Sequence, residues 1–197
     1  MVRVKGKIFS IIVMIIISFS SVFVCSAMDK KDLTDEVVLL VVADESRETY
    51  GLQLKNEVYT QLEKQLKIAI CKESELQDKI TNYSVGEISK AEKPELFTLA
   101  SKTGVNMVLV VEILPTKSDF SEILFYQSIK SEATIKVRLY DAVKQQYVLT
   151  EEIGSTGVNK TIIPYTFVGK KVTVVEAVHK ATTIVAERVN QKLANYK

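Results

Sequence analysis

The sequence has no tryptophan, and its 197 residues include only one histidine, two cysteines and three prolines. The single histidine, His179, excludes metal sites and mechanisms that require a pair of histidines. A catalytic triad would need His179 beside a nucleophile and an orienting acid, but it falls at the edge of the apolar side of a long predicted helix. We therefore expect His179 to lie on a helix face without a catalytic role.

The amino terminus combines basic residues with a long uncharged run. Its first seven residues carry three basic side chains and no acid, and Ile8–Val24 follow without a charge. This order is typical of a secretory signal. Cys25 and Ala27 place small side chains where a signal peptidase accepts them. We predict a signal peptide over residues 1–27, cleaved after Ala27, and an exported protein that is periplasmic or extracellular.

Two other fates of this segment stay open. Residues 8–28 are 21 uncharged positions, and about 20 apolar residues suffice to cross a bilayer. If uncleaved, they would tether the protein to the membrane, with the basic end in the cytoplasm and the domain outside. Lipid attachment at Cys25 is disfavoured because bulky Val24 precedes it, where a lipoprotein signal normally has Gly, Ala or Ser.

Cleavage changes the charge and the cysteine content of the chain. Residues 1–27 carry three basic residues and no acid, so their removal changes the net charge from +2 to −1. A near-neutral chain with mixed charges lacks the basic patch that nucleic-acid binding requires. Cys71 is then the only cysteine, which excludes an internal disulfide and structural zinc of the Cys/His type. We expect Cys71 to be a core residue, and we expect no cofactor and no metal.

The early part of the mature chain has the pattern of parallel α/β proteins. Residues 28–36 form a polar leader, and 37–197 are predicted to be a single globular domain. Val37–Ala43 is a short β-branched run, typical of a strand buried on both faces. From Gly51 onward, apolar residues recur every fourth position, which predicts an amphipathic helix. These residues are Leu54, Val58, Leu62 and Leu66. Ile68–Cys71 then predicts a second strand, parallel to the first.

The middle of the chain continues the alternation of helices and strands. Lys72–Tyr83 predicts a short helix at most. Pro94 suits the first turn of a further helix, and Gly104 stands where a left-handed residue would end that helix. Met107–Val111 follows as a third buried strand.

The last third of the sequence changes to an antiparallel pattern. Ala133–Tyr140 alternates apolar and polar residues, and Tyr147–Gly157 resumes after a turn, which predicts a β-hairpin. Thr173–Tyr196 contains no Gly or Pro and predicts one long helix packed across the sheet. The fold class is therefore α/β (α+β), with a mixed sheet of about five strands that is parallel early and antiparallel late.

Two kinds of segment are candidates for a binding site. The polar loop Asp44–Glu48 follows the first strand, where open α/β sheets tend to bind ligands, so Asp44 and Arg47 could serve a small ligand. Alternatively, the loop is solvated and Arg47 pairs with neighbouring acids. The connections Phe120–Tyr126 and Ile162–Val168 are unusually apolar and aromatic for loops. We expect them to cover the core, and the alternative is a surface for a partner. Their candidate contact residues are Phe125, Tyr126, Tyr165 and Phe167.

Three stretches together resemble a known superfamily. They are Val37–Ala43 with its helix, Ala100–Val110 with its helix–glycine–strand step, and Val137–Ala142, a hairpin strand that ends in Asp. With the long final helix, they resemble the envelope superfamily that includes the curli secretion channel lipoprotein CsgG, the lipoprotein activators of penicillin-binding proteins, and the amino-terminal domain of TolB. The resemblance spans residues 37–195, but the chain lacks a good lipid-attachment signal and has Lys144–Gln146 where relatives often carry Thr-Gly.

The resemblance implies a non-enzymatic domain that docks to another envelope component or to copies of itself. Together with the missing catalytic constellation, it suggests an exported binding or assembly-accessory protein without catalysis. The alternative is a small-ligand-binding protein or hydrolase that uses the Asp44–Arg47 loop. In either case we expect no nucleic-acid partner and no membrane span once the signal has been removed.

Overall fold

The structure of the chain, a computed structural model, describes residues 37–76, 85–123, 126–162 and 169–196. The predicted signal peptide and polar leader lie outside these residues. The same is true of three candidate contact residues, which are Phe125, Tyr165 and Phe167.

Six strands and four α-helices make up the described part. In chain order they are β1 (Val37–Asp44), α1 (Gly51–Gln65), β2 (Ala69–Lys72), a 3₁₀ turn (Glu73–Leu76), α2 (Val85–Lys90), α3 (Lys93–Thr103), β3 (Met107–Ile113), β4 (Lys117–Ile123), β5 (Tyr126–Asp141), β6 (Gln146–Thr161) and α4 (Lys170–Asn195). None of these helices combines the length and the apolar character that crossing a membrane requires.

The strands form one mixed sheet, which confirms the predicted fold class. β2, β1 and β3 are parallel, and β5 pairs antiparallel with β3, β4 and β6. The sheet has six strands instead of the predicted number of about five, because Lys117–Ile123, which overlaps the predicted connection Phe120–Tyr126, is a strand. Strand β5 is long enough to pair with β4 through its first half and with β3 through its second half.

The sheet is covered by helices on both faces, because its interior strand β1 is apolar on both sides. In β1, Val38, Leu40 and Val42 pack into the core beneath α1 and α4. The alternate residues Leu39 and Val41 pack into a second core with residues of α2 and α3. This pattern follows from the twofold alternation of side chains along a strand.

Local chemistry fixes the ends of α3 as the sequence predicts. Pro94 lies in the first turn, and Glu92 and Glu95 form a reciprocal capping box. In this box, the backbone N–H of Glu92 donates to the Glu95 carboxylate at 2.9 Å. Gly104 ends the helix in the left-handed region, at φ 76°. These caps position α3 so that β3 starts beside β1.

Helices α1 and α4 lie side by side on one face of the sheet and run in the same direction. In the first half of each helix, the His179 ring nitrogen Nδ1 lies 2.7 Å from the Glu57 carboxylate oxygen Oε1 and hydrogen-bonds to it. Near their ends, Asn190 donates to the backbone carbonyl of Gln65 at 2.9 Å. The amino termini of both helices therefore meet at the edge of the sheet where the parallel strands end.

Candidate functional site

The loop after β1 is folded upon itself by short-range hydrogen bonds. Asp44 Oδ1 accepts from the backbone N–H of Ser46 at 3.0 Å, and Ser46 Oγ accepts from the backbone N–H of Glu48 at 3.3 Å. Ser46 is buried, and the N–H of Glu45 donates to the carbonyl of Ile113 at 2.9 Å. The loop is thus a tight extension of the β1–β3 pairing.

Asp44 lies over the first turn of α1, and a glycine makes room for it. A Cβ on Gly51 would lie 1.7 Å from Asp44 Oδ2, so a larger residue would displace the carboxylate. Helix α1 has no acid in its own first turn. Because the first N–H groups of a helix are unpaired and carry partial positive charge, Asp44 supplies the negative charge that this end favours.

Arg47 is exposed and pairs with no acid among the described residues. Its backbone is in the left-handed region, at φ 62°, and its side chain is exposed. Within the described part of the chain, Arg47 takes part in no ion pair, so the alternative in which it pairs with neighbouring acids is not formed there. The ligand-site hypothesis for Asp44 and Arg47 stays a prediction.

Glu48 is the most connected side chain of the loop. Lys170 Nζ lies 2.6 Å from Glu48 Oε1, and the hydroxyl of Thr116 donates to the same oxygen. Tyr50 is adjacent, and Lys171 lies over its ring at 5.5 Å. We call these residues the Glu48 cluster. The cluster joins the amino termini of α1 and α4 to the β3–β4 connection.

The surroundings of Glu48 stabilise its ionised form. Burial raises the pKa of this carboxyl, but the hydrogen bonds from Lys170 and Thr116 and the charge of Lys170 outweigh burial and lower the pKa below its ordinary value. Burial and the negative charge of Glu48 raise the pKa of the Tyr50 phenol. Helix α4 has no acid in its first turn, so Glu48 also compensates its amino terminus.

Among the described residues, the single cysteine and the single histidine lie on opposite faces of the sheet. Cys71 packs into the core under α2 and α3, whereas His179 lies on α4, across the sheet, and contacts Glu57. The core position of Cys71 confirms the expectation. In the described ranges, no cluster of three or more His, Cys, Asp or Glu side chains has the geometry to hold a metal ion.

Beyond the end of β3, three strand segments extend the same sheet as a projection that we call the arm. The arm consists of β4, the first half of β5 and the second half of β6, over residues 117–123, 126–132 and 154–161. Phe120 and Ile123 on β4 are 54% and 64% exposed, and Ile162, just after β6, is 75% exposed. The expectation that the apolar connections cover the core is therefore wrong for these residues. Strand β4 pairs with the part of β5 that extends beyond β3, so β4 lies away from the core.

No other strand of the described part pairs with the outer edge of β4. The N–H of Leu114 donates to the Thr134 carbonyl at 2.9 Å, so even-numbered residues of β5 direct their backbone groups toward β3 and β4. Because backbone direction alternates along an antiparallel strand, Ser118, Phe120 and Glu122 direct theirs away from β5. Among the described residues, none forms a hydrogen bond with those outward groups.

The outer edge of β6, by contrast, is capped by side chains from α4. Lys180 Nζ donates to the carbonyl of Thr156 at 3.3 Å, and the Glu176 carboxylate accepts from the backbone N–H of Val158. Glu176 and Lys180 are also paired with each other at 2.5 Å. The two backbone groups that β6 would offer to a further strand at this place are thus already bonded.

No protein-family model matches this sequence, and no curated protein does. Several solved structures are similar at low sequence identity. The hypothetical protein CT253 from Chlamydia trachomatis is 13% identical, with a TM-score of 0.49, over 79% of this chain and 96% of that chain. TolB from Acinetobacter baumannii is 15% identical, with a TM-score of 0.45, over 83% and 29%. Lipoprotein GNA1162 from Neisseria meningitidis is 12% identical, with a TM-score of 0.43, over 81% and 99%.

One of these structures is a TolB protein, and another is named as a lipoprotein. At such identities and TM-scores they do not decide what this chain binds. Its function has to follow from the geometry of its own residues.

Three predicted site residues, Asp44, Arg47 and Tyr126, belong to the described part of the chain. Asp44 is the last residue of β1, and Arg47 lies in the loop that follows it. Tyr126 begins β5, opposite Ile123 of β4. The contact between Thr116 and Glu48 links the loop to the base of the arm. The sequence interpretation missed Glu48, because its partner Lys170 is remote along the chain and no local pattern connects the two.

Proposed function

We propose that this chain is an exported cell-envelope protein that acts by docking to another protein or to a second copy of itself, with no catalysis of its own. The observation that carries the proposal is the outer edge of β4, which pairs with no described strand and has Phe120 and Ile123 exposed beside it. An unpaired strand edge offers backbone hydrogen bonds, and apolar side chains beside it add contact area. Phe125, Tyr126, Tyr165 and Phe167 are proposed to add to this surface.

The geometry favours docking over the alternative of a ligand site or hydrolase at the Asp44–Arg47 loop. Asp44 is bonded to the loop backbone and packed over Gly51. Glu48 is bonded to Lys170 and Thr116. These acids hold the loop and the helix ends in place, which is a structural task.

Export is part of the proposal, with residues 1–27 removed as a signal peptide. The domain would then be free in the periplasm or outside the cell. Mass spectrometry of the protein purified from its host tests this step, and a chain that starts at Met28 supports cleavage. An intact Met1 would replace a free protein by one tethered through residues 8–28.

Site-specific photocrosslinking in living cells tests docking through the arm. A photoreactive amino acid at Phe120 should give a discrete protein adduct. The matched control is Val143, which is 73% exposed but lies in the β5–β6 turn, at the other end of the hairpin. Adducts of equal yield at both positions, or no adduct at Phe120, would contradict docking through the arm.

A further inference from the structure

The two outer edges of the arm differ in a way that points to the partner. The Thr156–Val158 stretch of β6 is occupied by Glu176 and Lys180. The edge of β4 has no such cap among the described residues. Since proteins commonly protect strand edges against unwanted pairing, an edge left open beside exposed Phe120 is available for strand addition. A head-to-tail arrangement, with β4 of one copy on β6 of the next, would have to displace the capping pair.

The backbone pattern of β4 permits pairing with itself. In an antiparallel pair, residues with outward backbone groups must face residues of the same kind. The outward residues Ser118, Phe120 and Glu122 satisfy this condition when a twofold axis passes through Phe120. Phe120 then faces Phe120 of the second copy, and Ser118 of each copy faces Glu122 of the other. About six backbone hydrogen bonds result, because each such pair exchanges two.

The side chains fit this register. Phe120 faces its own copy on one surface of the sheet, and cross-strand aromatic pairs stabilise antiparallel sheets. On the other surface, Lys117 faces Ile123 and Asp119 faces Ser121, so no like charges stand directly opposite each other. Asp119 also faces Lys130 on β5 of its own chain, which offsets its charge next to the axis.

Other twofold registers are poorer. An axis at Glu122 would place two carboxylates directly opposite each other, which destabilises a pair of strands. An axis at Ser118 would use only Lys117–Asp119 of the strand, since β4 begins at Lys117. The axis at Phe120 alone engages the whole of β4.

We propose that two copies of this chain associate through their β4 edges, antiparallel and symmetric about Phe120, so that the two arms form one continuous sheet. This inference rests on the proposed docking function and names the partner as a second copy. The contact is isologous, because the same residues serve both copies. A seven-residue edge buries little surface, so the dimer belongs to the weak class below about 1,200 Å².

Disulfide trapping tests the register in the exported protein, on a Cys71→Ala background. Phe120→Cys should give a covalent dimer under mild oxidation, because facing residues have Cα atoms about 5.5 Å apart, within disulfide range. Ser118→Cys is the matched control from the same strand and surface. In this register the two Ser118 positions are about 14 Å apart, so the variant should stay monomeric. Equal trapping at both positions would overturn the proposal.

Sedimentation equilibrium provides a test without cysteines. The unmodified protein should show a concentration-dependent dimer. Phe120→Lys should raise the dissociation constant of the dimer by about tenfold, since it removes the aromatic pair and places two ammonium groups opposite each other. Val143→Lys should leave it unchanged. A protein that is monomeric at all concentrations, or a dimer insensitive to Phe120→Lys, would overturn the proposal.

The photocrosslinking experiment separates this inference from the proposed function. An adduct at Phe120 with twice the mass of the chain supports both. An adduct with a different protein, and none with a second copy, would overturn self-pairing and support docking. If neither adduct forms at Phe120, both proposals are contradicted.

Discussion

Gly157 of β6 packs directly against the backbone of Thr173 in the first turns of α4. A Cβ on Gly157 would lie 2.0 Å from the Thr173 carbonyl oxygen and 3.1 Å from the backbone nitrogen of Ala177. Nearby, the hydroxyls of Ser131 and Thr173 share a hydrogen bond of 2.6 Å in a buried setting. This close approach brings the start of α4 onto the base of the arm.

Gly157→Ala should therefore destabilise the protein, because neither backbone can yield to the added methyl group. We expect a loss of about 1–3 kcal/mol in the free energy of unfolding, as for overpacked cores, measured by urea denaturation. Gly154→Ala is the matched control in the same strand, since its Cβ would meet only Thr134 Oγ1 at 3.8 Å. Equal losses in both variants would contradict the close-approach argument.

The part of the fold that rests on strong periodicity could be predicted from the sequence. The run Val37–Ala43 is apolar without interruption, and it forms β1, an interior strand between β2 and β3. The four-residue spacing from Leu54 to Leu66 corresponds to α1, and Gly104 ends α3 in the left-handed region. In each case the local sequence pattern and the tertiary environment favour the same structure.

The arm could not be predicted in the same way. Lys117–Ile123 lacks a regular alternation of apolar and polar residues, because most of its side chains are exposed on both surfaces of the arm. Its strand conformation comes from pairing with β5, which is a tertiary effect. Similarly, the contact of Glu48 with Lys170 joins residues far apart in sequence, so no local motif marks it.

The capped edge of β6 leads to a prediction about solubility. Replacing both Glu176 and Lys180 by Ala should leave the N–H of Val158 and the carbonyl of Thr156 free to pair with another strand. We expect increased self-association in light scattering, with little change in the melting temperature, since exposed ion pairs contribute only about 0–1 kcal/mol.

The control for this variant is the double replacement Glu187→Ala and Lys192→Ala on the same helix, which removes the same charges from exposed positions. It should not increase association. If both double variants associate equally, charge alone explains the effect, and the capping argument is wrong.

Glu48 should make stability depend on pH in the acid range. Its pKa is lower in the folded state than its ordinary 4.5, so the ionised carboxylate stabilises the fold above that value, and the contribution is lost as the pH falls through the lowered pKa. Glu48→Gln should cost about 1–2 kcal/mol at pH 7 and should have a shallower loss of stability below pH 4.5. Chemical denaturation across this range measures both effects. A parallel pH profile for the variant would contradict the assignment.

Gln145 in the β5–β6 turn has a backbone conformation that suits glycine. Its φ is 52°, in the left-handed region, which costs a residue with a Cβ about 1–2 kcal/mol. The turn itself is fixed by Asp141, whose Oδ1 accepts from the N–H groups of Val143 and Lys144 at 2.7 and 2.9 Å. Gln145→Gly should therefore raise the free energy of unfolding by about 0.5–1 kcal/mol, because glycine relieves the strain but is more flexible when unfolded. Gln145→Ala keeps the Cβ and should therefore bring no gain in stability, as measured by thermal denaturation. An equal gain in stability from both variants would show that the Gln145 side chain, and not its backbone conformation, is unfavourable.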